Sequence, residues 1–466
     1  MEGSIAIGAV VLAAGKGVRM RSERPKTMQE ILGEPLLFYS LSAVASAGIG
    51  ASAVVVGHKG AHISSYVNDA CPDSAISWQH EQLGTGHALR IAREWWISFS
   101  HVLVLPGDVP MISSHSLSLL VDRHLSRNAA CTFISFSTGN PFGYGRVVRD
   151  GTSCRIVEAK DADENQKRIT EVNSGVYIFN VSALDSVIGL LSNENAQGEY
   201  YLPDIMKLLS DRELRVEAIL AESETEFAGI NSARQLSEVA SYLRRNIVER
   251  WLENGVRFHS PETAFIGPKV TMGTDVEISP FVQIYGDSVL ADGVHVGSGT
   301  VIRGSVLENG ATIFDHVVLE KCHISSRAKI GPFAYLRDGT RVASDAYVGK
   351  FVEMKKSFVG ERSKVPHLSY IGDAQIGEDT NVGAGTITCN YDGVRKNPTK
   401  IGNRCFIGSD TMLVAPVELG DDAFTGAGSV ITQNVPEGDL AVARARQRNI
   451  SGWGKKKNSR TIEGAD

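Results

Sequence analysis

Apolar residues along this chain keep two rhythms. Up to about residue 230, short β-rich runs (Ile5 to Leu12, Ala53 to Val56, Val102 to Leu105, Cys131 to Phe136, Val176 to Phe179) alternate with amphipathic stretches. That alternation predicts a mostly parallel sheet with helices on both faces. Ligands of such sheets sit beyond the carboxyl ends of the strands, where this sequence places its glycines and isolated polar residues. Next, Leu236, Val239, Leu243, Ile247 and Trp251 recur at spacings of three and four. They predict one long helix over Ala233 to Asn254, capped by Ser232 and ended by Gly255.

Past residue 264 the period becomes six. From Val270 to Met354 every sixth position is aliphatic except Ser288, Thr300 and Thr312. The series slips, then resumes as Tyr370, Ile376, Val382, Thr388 and again as Ile401, Ile407, Leu413, Leu419. A helix repeats near 3.6 and an open sheet near 2, so a period of six predicts a triangular prism of very short strands, one inward side chain per face. Residues 265 to 436 would make about nine coils, a column roughly 45 Å long at ~4.8 Å per coil. Glycine follows the aliphatic residue at Ile330, Val348, Ile376, Val382, Ile401, Ile407 and Leu419, where a tight corner is expected to need unusual φ angles. Slips in a solenoid project as loops, and the polar loop between Thr388 and Ile401 is a natural place for a site.

The predicted organisation is therefore an α/β domain over 1–232, a linker helix over 233–254, and a β-helix domain over 255–466 that ends in a basic tail. A length of 466 residues and a hydrophobic fraction of 42% suit two globular cores. The net charge of −6, with both signs mixed, gives no field for nucleic acid or an anionic membrane. Six scattered cysteines form no C-x-x-C pair or zinc spacing and read as reduced cytosolic thiols. The run Ile5 to Ala14 follows Glu2 and leads into a glycine-rich turn, so it reads as a strand and not a signal peptide; no other run approaches the roughly 20 apolar residues of a membrane helix.

After the first strand stands Leu12-Ala13-Ala14-Gly15-Lys16-Gly17-Val18-Arg19-Met20, followed by Pro25-Lys26. Small residues let backbone amides close on phosphates and a base, and Arg19 and Lys26 can neutralise charge in phosphoryl transfer. The segment is neither a P-loop nor a dinucleotide fingerprint. It resembles the signature of the sugar-phosphate nucleotidylyltransferases, whose Rossmann-like fold the resemblance implies here. Further matches follow in order. Gln79-His80-Glu81-Gln82-Leu83-Gly84-Thr85 is similar to the family's uracil-contacting segment, with Gln79, Gly84 and Thr85 at the contact positions; an amide can satisfy a donor and an acceptor on a pyrimidine edge. Pro106-Gly107-Asp108 and Gly229-Ile230-Asn231 resemble the metal-binding elements, and Asp108 and Asn231 offer the hard oxygens magnesium prefers. Gly145, Glu158 and Asn173 match the sugar pocket. The resemblance implies Mg2+ as cofactor and attack by a sugar 1-phosphate on the α-phosphorus of UTP, with Lys26 and Arg19 among the catalytic groups.

In the second half Lys355-Lys356, His367-Leu368-Ser369-Tyr370, the run Asn381 to Gly393, and Lys396 are similar almost residue for residue to the bifunctional N-acetylglucosamine-1-phosphate uridylyltransferase/glucosamine-1-phosphate N-acetyltransferase family, and the resemblance covers nearly the whole chain. It implies a left-handed parallel β-helix of hexapeptide repeats and His367 as general base toward a sugar amine, a task suited to imidazole. Arg337, Lys355, Tyr370, Asn381 and Lys396 fall at sugar-phosphate positions; Asn390, Tyr391, Ser409, Ala427 and Arg444 fall at acetyl-CoA positions. Departures from the common pattern are Val18, Pro106 and Asp338, the last standing where a proline is usual. Also implied are a homotrimer, the bacterial cytoplasm, and two reactions in sequence with acetyl-CoA and UTP as co-substrates: acetylation of glucosamine 1-phosphate, then uridylylation to UDP-N-acetylglucosamine. The tail basics Arg446, Arg448, Lys455, Lys456, Lys457 and Arg460 read as a solvated terminus and not a nucleic-acid site. The competing expectation is a monofunctional nucleotidylyltransferase whose prism only assembles the oligomer.

Overall fold

A computed structural model describes residues 5–150 and 153–455; the tail residues Lys456, Lys457 and Arg460 lie outside them. The chain forms two compact units, Met1–Leu243 and Arg244–Asp466, each treated separately below.

The first unit is built on a central sheet. Its strands are β1 Ile7–Leu12, β2 Ala51–Val56, β3 Ala75–Trp78, β4 His101–Pro106, β5 Cys131–Ser137, β6 Glu171–Asn180 and β7 Val216–Ala221, in the order β7-β5-β6-β4-β1-β2-β3. Strands β3, β2, β1 and β4 run parallel; β6 is antiparallel to both β4 and β5. Alternate strand residues supply two cores, as a sheet covered on both faces requires. Val10, Val55, Val104 and Phe179 pack with Leu89, Trp96, Leu184 and Ile205 on one side. Ala9, Val11, Val54 and Leu105 pack with Leu37, Val44, Ile63 and Leu117 on the other. A hairpin of Arg146–Asp150 and Ser153–Val157 hangs from β6.

The long helix spans Ala233–Glu253. The Ser232 hydroxyl accepts from the Gln235 amide at 3.3 Å, and Gly255 ends the helix at φ +84°. Leu236, Val239 and Leu243 of its first turns pack on Ile31, Leu36 and Tyr39 of the first unit.

The second unit is a left-handed parallel β-helix, three stacks of strands that are two or three residues long in all but two cases among the described residues. One face is a separate nine-stranded sheet. The other two merge because Tyr347–Lys355 and Lys364–Gly372 run unbroken round a corner.

The sixfold series needs two corrections. Each face buries two side chains, a small one and an aliphatic two residues later: Ser288 with Leu290, Thr300 with Ile302, Ser305 with Leu307, all within 1% of complete burial. The inward position arrives one residue early at Ser305 and again at Cys322. Val306, Thr312 and Val318 therefore sit on the strands' outer sides, only partly buried, and the series re-enters the core at Ile324 on the second inward position. The apparent unbroken phase is two phases joined. The glycines after aliphatic residues, moreover, mostly have ordinary φ. Gly349 and Gly408 are needed because a Cβ would stand 2.0 Å from the Pro366 carbonyl oxygen and 2.5 Å from that of Thr425 in the next coil. Left-handed corners are instead taken by other residues, among them Phe281, His316, Phe333, Phe351 and Leu368.

Candidate active sites

The carboxyl ends of β1, β3 and β4 open into a cavity of about 480 Å³ in the first unit. Leu12, Ala13, Ala14, Gly15, Lys26, Gln79, Gly84, Thr85, Asp108, Glu158 and Asn173 all line it, so five separated motifs meet in one place. The turn at Gly84 demands glycine: φ is +106° and a Cβ would lie 2.6 Å from the Tyr200 carbonyl oxygen. The Thr85 hydroxyl accepts from the Leu202 amide at 3.1 Å, tying this turn to the 198–203 segment.

At the phosphate end, the Lys26 ammonium is held between the Asp108 carboxylate and Asn231 Oδ1, which accepts from it at 2.8 Å. Arg19 donates to the same Oδ1 at 2.8 Å. Asn231 is itself fixed by its backbone amide donating to Gln235 Oε1 at 2.8 Å, and the Ile230 amide donates to the Asp108 carbonyl at 3.2 Å. Two hard oxygens thus converge on one point that a cation already occupies. Such a pair fits a divalent metal whose remaining ligands come from a phosphate chain. Among the described residues no group of three or more His, Cys, Asp or Glu forms a metal cage without a substrate's oxygens.

At the other end, Gly145 lies against Glu158, and its carbonyl accepts from the Asn173 amide at 2.9 Å. The Asn173 side chain donates to the Tyr177 hydroxyl at 2.6 Å. Burial, reinforced by the carboxylates of Asp204 and Asp161, raises the pKa of Glu158. Lys16 and Gln82, inside the quoted motifs but given no role there, also line the cavity, as do Thr27, Tyr177, Glu199, Leu202 and Pro203, which were not foreseen. Only the crowded Tyr200-Tyr201 pair in that segment hints at it.

In the second unit the expected residues lie along two corners of the prism. At one, Arg337, Lys355 and Gly372 occupy successive coils in register. A Cβ on Gly372 would lie 2.6 Å from both the Tyr370 hydroxyl and Asn390 Nδ2, so these two groups converge there. Asn390 donates to Asp373 at 2.6 Å. Arg337 donates to Glu353 at 2.7 Å, while Lys355 lies 3.8 Å from Asp338. Asp338 adopts φ +49°, which proline cannot; the departure noted in sequence reshapes this corner and places a carboxylate beside Lys355. In the projecting loop Tyr391 pairs with Lys396, whose ammonium lies 4.5 Å above the tyrosine ring. Backbone amides of Arg395 and Val394 and the Asn397 side chain pull the Asp392 carboxyl down to about 2, fixing the turn.

The other corner carries His367. Strand register places Ala384, Ser409 and Ala427 above it in successive coils, and Arg444 donates to the Ala427 carbonyl at 2.8 Å. The His367 imidazole is exposed and makes no hydrogen bond among the described residues. Asn381 sits on the preceding face, opposite Lys364 and Phe406. Beside the His367 column runs an exposed aromatic ladder: His316, Phe333 and Phe351 stack at 5.0 and 5.5 Å, and Leu368 continues the row.

Comparison with known proteins agrees with both halves. The nucleotidyl transferase family matches residues 8–252, and the bacterial transferase hexapeptide family (six repeats) matches 398–433. Similar proteins include the bifunctional protein GlmU of Carboxydothermus hydrogenoformans, 43% identical over 94% of this chain and 98% of that protein. That of Heliobacterium modesticaldum is 45% identical over 94% and 96%, and that of Pelotomaculum thermopropionicum 44% over 98% and 100%.

Proposed function

The chain belongs to the bifunctional GlmU family, and on that premise we propose how its residues carry two transfers. As a member it is an N-acetylglucosamine-1-phosphate uridylyltransferase and a glucosamine-1-phosphate N-acetyltransferase, acting on sugar-phosphate and nucleotide substrates. In the first unit, Leu12 to Gly15, Gln79, Gly84 and Thr85 hold the uridine, and Gly145, Glu158 and Asn173 hold the sugar. Lys26 and Arg19 balance charge on the α-phosphate as the sugar phosphate attacks in line and pyrophosphate leaves. Asp108 and Asn231 would hold Mg2+, which when bound supplies further charge neutralisation on the phosphates. The observation that carries this reading is the convergence of Leu12 to Gly15, Lys26, Gln79, Gly84, Thr85, Asp108, Glu158 and Asn173 on one cavity, with Asn231 and Arg19 joined to it where the Lys26 ammonium is held between Asp108 and Asn231.

In the second unit His367 takes a proton from the amino group of glucosamine 1-phosphate as its nitrogen attacks the acetyl thioester; the C–S bond breaks and coenzyme A leaves as the thiol. Arg337, Lys355, Tyr370, Asn381 and Lys396 hold the sugar phosphate. Acetyl-CoA lies up the column of Ser409 and Ala427 toward Arg444, with Asn390 and Tyr391 from the loop. One prism spreads these residues over two corners and leaves an apolar ladder exposed beside His367. Both features favour a homotrimer in which one copy's His367 corner meets another copy's phosphate corner. Reduced thiols and the two co-substrates favour the cytoplasm, and no helix among the described residues is long and apolar enough to cross a membrane.

The test compares parent and His367→Ala protein in two assays: thiol release from acetyl-CoA with glucosamine 1-phosphate, and pyrophosphate release from UTP with N-acetylglucosamine 1-phosphate. Loss of thiol release alone is expected. A parent that releases no thiol would reduce the prism to an assembly device.

A further inference from the structure

Gln79 follows strand β3, is only 3% exposed, and lies in the cavity wall. Its amide nitrogen donates to the Gly84 carbonyl oxygen at 3.0 Å and lies 3.0 Å from His87 Nδ1. A carbonyl oxygen can only accept, so Gly84 decides which end of the amide is nitrogen. The second amide hydrogen then goes to Nδ1, which must be bare. The ring is therefore the neutral tautomer with its proton on Nε2. Its surroundings agree: burial, then the Arg90 guanidinium, lower the His87 pKa against the opposing pull of the Glu81 backbone and carboxylate.

Both amide hydrogens are thus committed inside the protein. Oε1 has no partner among the described residues and is the only polar group Gln79 offers the cavity. The sequence-based expectation of a donor and an acceptor shrinks to an acceptor. Uracil presents N3–H, which an acceptor satisfies; cytosine presents a bare N3, which would face Oε1 lone pair to lone pair.

We propose that His87, which does not itself line the cavity, is a positioning residue that together with the Gly84 carbonyl fixes the Gln79 amide and so makes the site accept uracil and refuse cytosine nucleotides. The inference rests on reading the cavity as the nucleotide site. Without His87 one of the two acceptors that hold the amide nitrogen is gone and the Gly84 carbonyl alone opposes a turned amide, so a larger share of the protein presents the nitrogen, which can meet cytosine N3.

The experiment measures affinity by calorimetry and kcat/KM by pyrophosphate release for UTP, CTP and dTTP. It uses full-length parent, His87→Ala and His87→Asn. In His87→Ala the UTP-to-CTP ratio should fall by about tenfold or more. The UTP-to-dTTP ratio should hold, because both bases carry N3–H. His87→Asn, whose Oδ1 can accept the same hydrogen, should restore discrimination. A parental UTP-to-CTP ratio in His87→Ala overturns the proposal, and so does an equal loss for all three nucleotides, which a purely structural role would give. A parent that binds none of the three overturns the reading of the cavity and this inference with it.

Discussion

Lys26 occupies the point where the Asp108 carboxylate and Asn231 Oδ1 meet, so on the proposed reading its ammonium and a divalent cation would compete for one place unless a phosphate chain drew the lysine away. Asp108 is then the residue whose charge both depend on. Asp108→Asn should lower pyrophosphate release by about two orders of magnitude or more, while thiol release in the same preparation stays at the parental rate. Gly84→Ala should raise KM for UTP sharply, because φ +106° and the Tyr200 carbonyl leave a Cβ no room; an unchanged KM would mean the turn is more pliable than its contacts imply. Residues inside contiguous motifs, such as Gln79, Gly84 and Asp108, were legible in sequence because those motifs resemble the nucleotidylyltransferase segments, and Asp108 also because it follows a buried strand. Glu199, Leu202 and Pro203 were not, since they reach the cavity through the backbone pairing of Tyr200 with Leu83 and Gly86 and the bond from the Leu202 amide to Thr85, contacts distant in sequence. The Lys355–Asp338 pair was equally hidden: it depends on a left-handed φ that no spacing reports.

Among elements, the sheet followed from short apolar runs alternating with amphipathic stretches, the long helix from spacings of three and four, and the prism from its period of six. What the period could not show was which inward position a residue takes: two inward positions two residues apart on each face let a one-residue shortening pass unnoticed at Ser305 and again at Cys322. Nor could it separate glycines required for backbone approach from glycines required for φ. Gly349→Ala should therefore lower the melting temperature of the prism by several degrees despite an unremarkable φ, as calorimetry would register. A second element carries a pH dependence. The helix Ser114–Arg127 buries His124 completely, with Nδ1 3.0 Å from the Thr132 hydroxyl and Nε2 3.0 Å from His101. Burial, then His101, push its pKa down to about 4 from an ordinary 6.5. The unfolded chain takes up this proton between those values and the folded chain refuses it. Its neutral burial is fully tolerated above pH ~6.5, and stability is lost as pH falls from there toward ~4, by at most about 3 kcal/mol. His124→Gln should flatten that part of the profile of melting temperature against pH; an unchanged slope would place the dependence elsewhere.

At the scale of the whole molecule, two compact units with separate cores carry separate candidate sites, so their lesions should not cross. If copies meet along the His316–Phe333–Phe351 ladder, the double variant Phe333→Glu, Phe351→Glu should sediment as a smaller species and lose thiol release while keeping pyrophosphate release. A variant that keeps the parental sedimentation would move the interface to another face. Within the second unit, a strand on one face pairs with the equivalent strand a full turn away, Gln283 with Val301 and so on up the column. Coils are therefore linked like rungs, each answerable only to the rung before and the rung after. A mechanical pull on the ends of that unit would meet them in series, and each turn of 18 residues from Gln283 to Val301 that lets go would pay out roughly 60 Å of slack. Under tension the prism would lengthen in steps, one coil yielding while its neighbours still held.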